Sequence, residues 1–133
     1  MAKAIHSMIR VLDPEISIHF YKAALNLDVD ARFDFDGFSL IYLRNPETTF
    51  ELELTHNHSN TEPYTHGSGY GHLAVSVSDI ESSHAALVEK GLSPTLIKSM
   101  SYQNKPMATF FFLTDPDGYK IEFIERSGRF ASV

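Results

Sequence analysis

The chain has 133 residues, 43% of them hydrophobic, with 17 acidic and 11 basic side chains, a formal charge of −6 and no cysteine. This length predicts about one domain, and the lack of cysteine excludes a disulfide framework. No Lys/Arg cluster marks a nucleic-acid surface, no apolar run reaches the roughly 18 residues of a membrane span, and the first residues lack a signal-peptide core, so we expect a cytoplasmic protein with neither nucleic-acid nor membrane partners.

The first half of the chain is predicted to run strand, helix and three further strands. Asp13 followed by Pro14 is typical of a helix start, and the helix is predicted over 14–25. Ile16 and Phe20 follow at helical spacing and are expected on its buried face. The strands are expected, from alternating or apolar runs, at about 4–11, 30–35, 38–43 and 49–55.

The second half is predicted to repeat this order. Asp79 is a candidate N-cap, and Gly91 is expected to end the helix that it starts. Three apolar residues, Ile80, Leu87 and Val88, supply the predicted buried stripe of that helix. Its strands are expected at about 72–77, 94–98, 107–114 and 119–125.

The two halves also repeat particular side chains. His6 and His72, each in the first strand of its half, are 66 positions apart. Glu53 and Glu122, each in the last strand of its half, are 69 positions apart, which is nearly the same offset. We therefore predict one α+β domain over residues 1–133, built of two tandem βαβββ modules at about 4–56 and 71–126 that are joined by a polar connector, 57–70.

Two histidines and two glutamates at equivalent places in a duplicated module indicate a paired, symmetric site. Taken singly, each has an ordinary structural explanation, because strand side chains alternate between faces and a polar one commonly lies on the wet side. The coincidence of all four favours a divalent transition metal, for which imidazole and carboxylate are suitable ligands.

Four segments, which together span about residues 4–126, carry a resemblance to a known family. They are His6-Ser-Met-Ile-Arg10-Val, Glu53-Leu-Thr-His-Asn57, Tyr70-Gly-His72-Leu-Ala-Val-Ser-Val and Asp115-Pro-Asp-Gly-Tyr-Lys-Ile-Glu122-Phe-Ile-Glu125. The chain resembles glyoxalase I (lactoylglutathione lyase) of the vicinal oxygen chelate superfamily. The resemblance implies curved mixed sheets and a homodimer, in which each site takes one His–Glu pair from each chain.

The resemblance also implies which residues hold the metal and which act on the substrate. The implied metal ligands are His6, Glu53, His72 and Glu122, with Glu122 as principal base and Glu53 as its partner in proton transfer. The implied reaction isomerises the hemithioacetal of methylglyoxal and glutathione to S-D-lactoylglutathione through a metal-bound enediolate. Because short members of the family use nickel or cobalt, we expect Ni²⁺, although Co²⁺ and Zn²⁺ also suit these ligands.

For glutathione, the resemblance implies contacts from Arg10, Asn57 and Met107. An arginine suits a thiol that carries two carboxylates. The chain departs from some relatives at Ser68 and Met100, where those proteins have an arginine and a lysine. This departure leaves fewer cations for the glycine carboxylate of the tripeptide.

Other functions of the same superfamily remain as alternatives. They are a thiol transferase of the fosfomycin-resistance kind, an acyl-CoA epimerase, an extradiol dioxygenase and a drug-binding module without metal ligands. The four ligand-type residues favour the isomerase, because those relatives have fewer or different ligands. His56, His58 and His66 lie in or beside the connector, where solubility, substrate contact and a second metal site are all open roles.

Overall fold

The computed structural model describes residues 1–133 and divides into two compact units of the same construction. The first unit is Met1–Thr65 and the second is His66–Val133, so the division falls within the polar connector. Each unit runs strand, helix and three strands, which confirms the two predicted βαβββ modules. None of the helices has the length and apolar character needed to span a membrane.

The first unit contains β1 (His6–Arg10), α1 (Pro14–Leu25), β2 (Asp28–Asp34), β3 (Phe38–Arg44) and β4 (Glu51–Asn57). The second unit contains β5 (His72–Val77), α2 (Ile80–Glu89), β6 (Lys98–Tyr102), β7 (Lys105–Thr114) and β8 (Lys120–Glu125), followed by a 3-10 turn, Gly128–Phe130. Each unit has one four-stranded sheet, with strand orders β1-β4-β3-β2 and β5-β8-β7-β6. The first strand of each unit lies parallel to the last, and the other pairings are antiparallel.

The helix α1 begins and ends as the sequence predicts, but its buried face is turned by one residue. The Asp13 carboxylate accepts hydrogen bonds from two backbone N–H groups of the first turn, and Asn26 ends the helix in the left-handed conformation (φ 54°). Phe20 is buried as predicted, whereas Ile16 is 55% exposed and Ser17 is fully buried in its place. The prediction for Ile16 is therefore wrong, because the helix turns its small Ser17 side chain inward.

The helix α2 starts at the predicted cap, where the Asp79 side chain accepts from a backbone N–H of the first turn. Gly91, at φ 78°, lies just beyond its end. Ile80 and Leu87 are buried as expected, but Val88 is 53% exposed, so its assignment to the apolar stripe is wrong. A helix of 10 residues buries a narrow stripe, and Val88 lies beside that stripe rather than on it.

The first strand after α2 lies further along the chain than the predicted 94–98. It begins at Lys98, and Thr95 makes only isolated hydrogen bonds to β7 before it. Gln103 and Asn104 both have positive φ (48° and 63°) and form the turn that joins β6 to β7. Because this turn lacks glycine, the usual sequence signal of a two-residue hairpin was missing.

Each sheet has one apolar face, which forms the core of its unit. In the first unit the core residues from the sheet are Ile9, Val11, Ile41, Leu43, Leu52 and Leu54. In the second unit they include Phe111, Leu113, Ile121 and Phe123. Because strand side chains alternate, the polar side chains between these positions lie together on the other face of each sheet.

Candidate active site

In the first unit, His6 and Glu53 meet across the parallel strands β1 and β4. His6 lies opposite Glu51 in the register, and Glu53 is two positions further along β4, so both side chains leave the same face. His6 Nε2 lies 2.9 Å from Glu53 Oε2. Glu53 is buried, with 7% exposure, whereas the imidazole of His6 is open to solvent.

In the second unit, His72 and Glu122 meet in the same way across β5 and β8. His72 lies opposite Lys120, and Glu122 is again two positions further along the partner strand. The distance from His72 Nε2 to Glu122 Oε2 is 2.9 Å, as in the first unit. The repeat seen in the sequence is therefore a repeat of geometry, with one imidazole and one carboxylate in each unit.

Each unit thus brings one histidine and one glutamate of the four predicted ligands together as a pair. The chain holds no group of three or more histidine, cysteine or carboxylate side chains arranged to bind a metal ion. One pair offers too few donors for a transition-metal centre, whereas two pairs supply two imidazole nitrogens and two carboxylates. This donor set suits a divalent ion such as Ni²⁺, Co²⁺ or Zn²⁺.

The two glutamates differ in their neighbours. Tyr42 of β3 lies opposite Glu53, and burial, then the charge and hydrogen bond of Glu53, raise the pKa of the Tyr42 hydroxyl. The equivalent neighbour of Glu122 is Phe112 of β7, which has no hydroxyl to donate. The carboxylate of the first pair is therefore held by a donor that the second pair lacks.

Arg10 and Asn57 lie on the same face of the first sheet as Glu53. Arg10 is opposite Thr55 in the register, and its side chain makes no hydrogen bond or ion pair within the chain. Asn57 is half-buried, and its Nδ2 donates to the hydroxyl of Tyr64 at 3.4 Å. Both are thus polar side chains on the ligand face, and their role in substrate binding stays a prediction.

Met107 lies at an irregular point of β7. The register passes from Met100 opposite Ala108 to Ser101 opposite Pro106, which leaves Met107 as the extra residue of a bulge. Gly128 backs this bulge, because a Cβ there would lie 2.5 Å from the Met107 carbonyl oxygen, and its φ is 54°. The half-buried Met107 side chain stays a predicted substrate contact.

A cavity of about 370 Å³ opens beside His72 in the second unit. Its lining consists of aromatic residues, glycines and one cation: His66, Tyr70, Gly71, His72, Phe112, Gly118 and Lys120. The His66 ring stacks on Tyr119 with centroids 4.2 Å apart, and its Nε2 lies 3.0 Å from the Asp117 carbonyl oxygen. His66 therefore forms part of the wall of this cavity, held by Tyr119 and by the Asp117 carbonyl group.

His56 lies on the other face of the first sheet from Glu53, since it alternates with Glu53 along β4, and His58 follows just beyond the end of that strand. His58 Nε2 is 2.8 Å from the hydroxyl of Ser39, which is buried and donates to Asp34. Because a carboxylate only accepts, the single hydroxyl proton of Ser39 goes to Asp34, and His58 donates to Ser39. His58 is thus held in a polar chain away from the His6–Glu53 pair.

Sequence reasoning passed over two side chains next to the pairs, Tyr42 and Lys120. Tyr42 lies directly opposite Glu53. Lys120 lies directly opposite His72 and two positions before Glu122 on the same face. The signal that finds them is strand parity, which places Lys120 with Glu122. For Tyr42 the pairing of β3 with β4 was also needed, and the sequence alone does not supply that register.

The sequence matches the Glyoxalase/Bleomycin resistance protein/Dioxygenase superfamily over residues 3–123. The chain belongs to this family. Within the family it is similar to the lactoylglutathione lyase of Neisseria meningitidis, with 34% identity over 135 residues that cover 98% of this chain and 96% of that protein. The probable lactoylglutathione lyase of Synechocystis is 33% identical, over 94% of this chain and 96% of its own length.

Among solved structures, a trypanothione-dependent glyoxalase I from Leishmania major is similar, with a TM-score of 0.73 and 32% identity. The likeness covers 94% of this chain and 87% of that one. These findings confirm the glyoxalase resemblance and the predicted fold of two mixed four-stranded sheets.

Proposed function

We propose that this protein is a metal-dependent glyoxalase I, that is, a lactoylglutathione lyase. It converts the hemithioacetal of methylglyoxal and glutathione to S-D-lactoylglutathione. The observation that carries the proposal is the repeated His–Glu pair, with the same register offset and the same 2.9 Å contact in both units. This geometry occurs in a chain that is similar over nearly its whole length to lactoylglutathione lyases.

The complete centre is proposed to form in a homodimer. His6 and Glu53 of one chain face His72 and Glu122 of a second copy, and the two-fold relation of the copies makes two such sites. The proposal is supported by the fact that each unit supplies only half of a four-ligand set. In such a dimer, the exposed imidazoles of His6 and His72 would face the other copy instead of solvent.

The proposed compartment is the cytoplasm. The proposed ion is Ni²⁺, with Co²⁺ or Zn²⁺ as substitutes. A divalent ion held by these four residues supplies Lewis-acid stabilisation of negative charge on the substrate oxygens.

The chain's own residues carry the proton transfers. Glu122 takes the proton from the carbon that bears sulfur, and the electron pair of that C–H bond moves toward the neighbouring carbonyl to give an enediolate. A proton returns to the neighbouring carbon, and the hydroxyl proton of the first carbon passes to the oxygen of the second, with Glu53 as partner in these transfers. The product has a thioester carbonyl at the first carbon and a hydroxyl at the second. One carbon is oxidised and the other reduced within the same molecule, so no redox cofactor is required.

The difference between Tyr42 and Phe112 supports this division of roles. Glu53 is tied to the Tyr42 hydroxyl, whereas Glu122 lies beside a phenyl ring and has no such donor. Two carboxylates in different environments are the usual arrangement where one acts as base and the other as its partner. Glu122 is the less restrained of the two and is therefore assigned as the base.

Arg10, Asn57 and Met107 are proposed to bind glutathione. The Arg10 guanidinium has no partner within the chain and can pair with a carboxylate in bidentate fashion. The Asn57 amide offers a donor and an acceptor beside it on the same face, and the flexible Met107 side chain offers an apolar contact.

The test is to remove bound metal with a chelator, add Ni²⁺, Co²⁺ or Zn²⁺ separately, and follow thioester absorbance from the preformed hemithioacetal. Thioester formation that depends on added metal, with the largest rate for Ni²⁺, is the expected result. A protein that binds one metal ion per site and forms no thioester with any of the three would overturn the proposal.

A further inference from the structure

Lys120 has no role in the proposed glyoxalase I reaction. Lys120 lies directly opposite His72 in the register of β5 and β8, and two positions before Glu122. Its side chain therefore leaves the ligand face of the second sheet, where it lines the cavity beside His72. It is exposed and makes no hydrogen bond or ion pair within the chain.

The first unit shows that the fold does not require a cation at this place. The residue opposite His6, at the position equivalent to Lys120, is Glu51. The two units thus have the same His–Glu geometry, but the residue opposite the histidine is an acid, Glu51, in the first unit and a base, Lys120, in the second. In a chain of net charge −6, an unpaired ammonium on the ligand face is a local attraction for an anion.

The cavity around Lys120 is built from side chains that hold one another in place. His66 stacks on Tyr119, and Tyr70 meets both rings edge-on, with centroids 5.9 and 5.4 Å away. The bond from His66 to the Asp117 carbonyl oxygen fixes this wall to the turn before β8. The cavity that Lys120 lines therefore has a wall of aromatic side chains held in place by one another.

The chemistry of glutathione decides which anion fits. Its γ-glutamyl carboxylate lies beside its own ammonium group, whereas its glycine carboxylate stands alone and carries the net charge of the tripeptide. The lysine ammonium is a compact point charge and lacks the bidentate geometry of an arginine guanidinium. It suits an isolated carboxylate. Arg10, on the first sheet, is the cation already proposed for glutathione.

From these observations we propose that Lys120 and the aromatic cavity beside His72 form a subsite for the glycine carboxylate of glutathione. The inference rests on the proposed glyoxalase I function. It makes Lys120 a determinant of thiol specificity: a thiol without a carboxylate at that end gains nothing from Lys120.

The experiment compares Lys120→Met, which keeps the length of the side chain, with Lys120→Arg, which keeps the charge. Lys90→Met is the matched control, because Lys90 is an exposed lysine at the end of α2, on the other side of the second sheet. Each protein is assayed with two hemithioacetals of methylglyoxal, one made from glutathione and one from glutathione whose glycine carboxylate is an ethyl ester.

With glutathione, Lys120→Met is expected to raise KM about tenfold, the change that ~1.4 kcal/mol produces, while kcat stays within about twofold. Lys120→Arg and Lys90→Met are expected to stay within about threefold of wild type in KM. With the ester, wild type and Lys120→Met are expected to have the same KM. An equal rise in KM for both substrates, or no rise for either, would overturn the inference.

A binding measurement separates this inference from the proposed function. Calorimetry with an S-alkylglutathione and with its glycine ethyl ester needs no turnover, so it decides the question even if wild type forms no thioester. Tighter binding of the free acid by wild type than by Lys120→Met, and equal binding of the ester, supports the subsite. Equal binding of the free acid by both proteins, or no binding by wild type, contradicts it.

Discussion

At the scale of single residues, the two glutamates show how one repeated geometry can serve two roles. In both, a carboxylate oxygen lies 2.9 Å from a histidine Nε2 across a parallel strand pair. Glu53 additionally has Tyr42 opposite it, and Glu122 has Phe112. A single hydroxyl therefore distinguishes the proposed proton-transfer partner from the proposed base.

Glu122→Gln keeps the shape of the side chain and removes its basicity. We expect kcat to fall by at least about a hundredfold, the usual contribution of a positioned base, with little change in thermal stability. Glu125→Gln is the matched control, since Glu125 lies on the same strand but on the opposite face. Turnover of the Glu122 variant within a few-fold of wild type would rule out its role as base.

Tyr42→Phe removes only the hydroxyl beside Glu53. We expect metal affinity to fall about tenfold, because groups that orient a ligand commonly contribute that much. Competition with a chromogenic chelator measures the affinity, and Tyr102→Phe, at an exposed tyrosine of the edge strand β6, is the control. Equal affinities for the Tyr42 variant and wild type would mean that the hydroxyl does not support the metal site.

At the scale of elements, the first sheet carries a polar chain on the face away from its ligand pair. Asp34 of β2 accepts from Ser39 of β3 at 2.5 Å and from Arg32 at 3.1 Å, and Ser39 accepts from His58, just beyond β4. Ser39 is 1% exposed, so its two bonds satisfy a buried hydroxyl. These hydrogen bonds connect β2, β3 and the end of β4 to one another.

This polar chain predicts a pH dependence of stability. The hydrogen bond from Ser39, then that from Arg32, holds the pKa of Asp34 below its ordinary value. A carboxyl with a lower pKa in the folded state stabilises the fold above its unfolded pKa, near 4, and loses that contribution as pH falls through its folded pKa.

The measurement is the urea midpoint at pH 6 and at pH 3. Asp34→Asn should lower the midpoint at pH 6 and show a smaller further drop at pH 3 than wild type does. Asp36→Asn, in the neighbouring turn where asparagine is well suited, is the control. The same drop in Asp34→Asn as in wild type would show that Asp34 does not contribute to the acid sensitivity.

The helix starts, and the succession of helices and strands along the chain, could be predicted because the residues that determine them are local. Asp13 and Asp79 cap their helices as their sequence context indicates. The rotation of α1 that buries Ser17 and exposes Ile16 could not be predicted, since it depends on how closely the helix approaches the sheet. A serine on that face gives no sequence signal of burial.

At the scale of the whole molecule, the repeat in the sequence indicated which histidine and which glutamate each unit contributes. The offsets between His6 and His72 and between Glu53 and Glu122 were enough to assign one histidine and one glutamate to each module, and the structure shows that they are in contact. Their neighbours Tyr42 and Phe112 could not be found in this way, because the register of antiparallel strands depends on turns far from the site.

The central claim is that a complete site combines the first unit of one chain with the second unit of another. It is tested by two variants, His6→Ala with Glu53→Gln, and His72→Ala with Glu122→Gln, each of which should be inactive alone. They are co-expressed with different tags, and the doubly tagged mixed dimer is purified.

The mixed dimer then contains one site with both damaged pairs and one with both intact pairs. The measurement is thioester formation from the methylglyoxal–glutathione hemithioacetal by this mixed dimer in saturating Ni²⁺. We predict about half of the wild-type activity per dimer, because one of two sites is whole. A purified mixed dimer as inactive as its parents, beside an active wild type, would contradict the shared site.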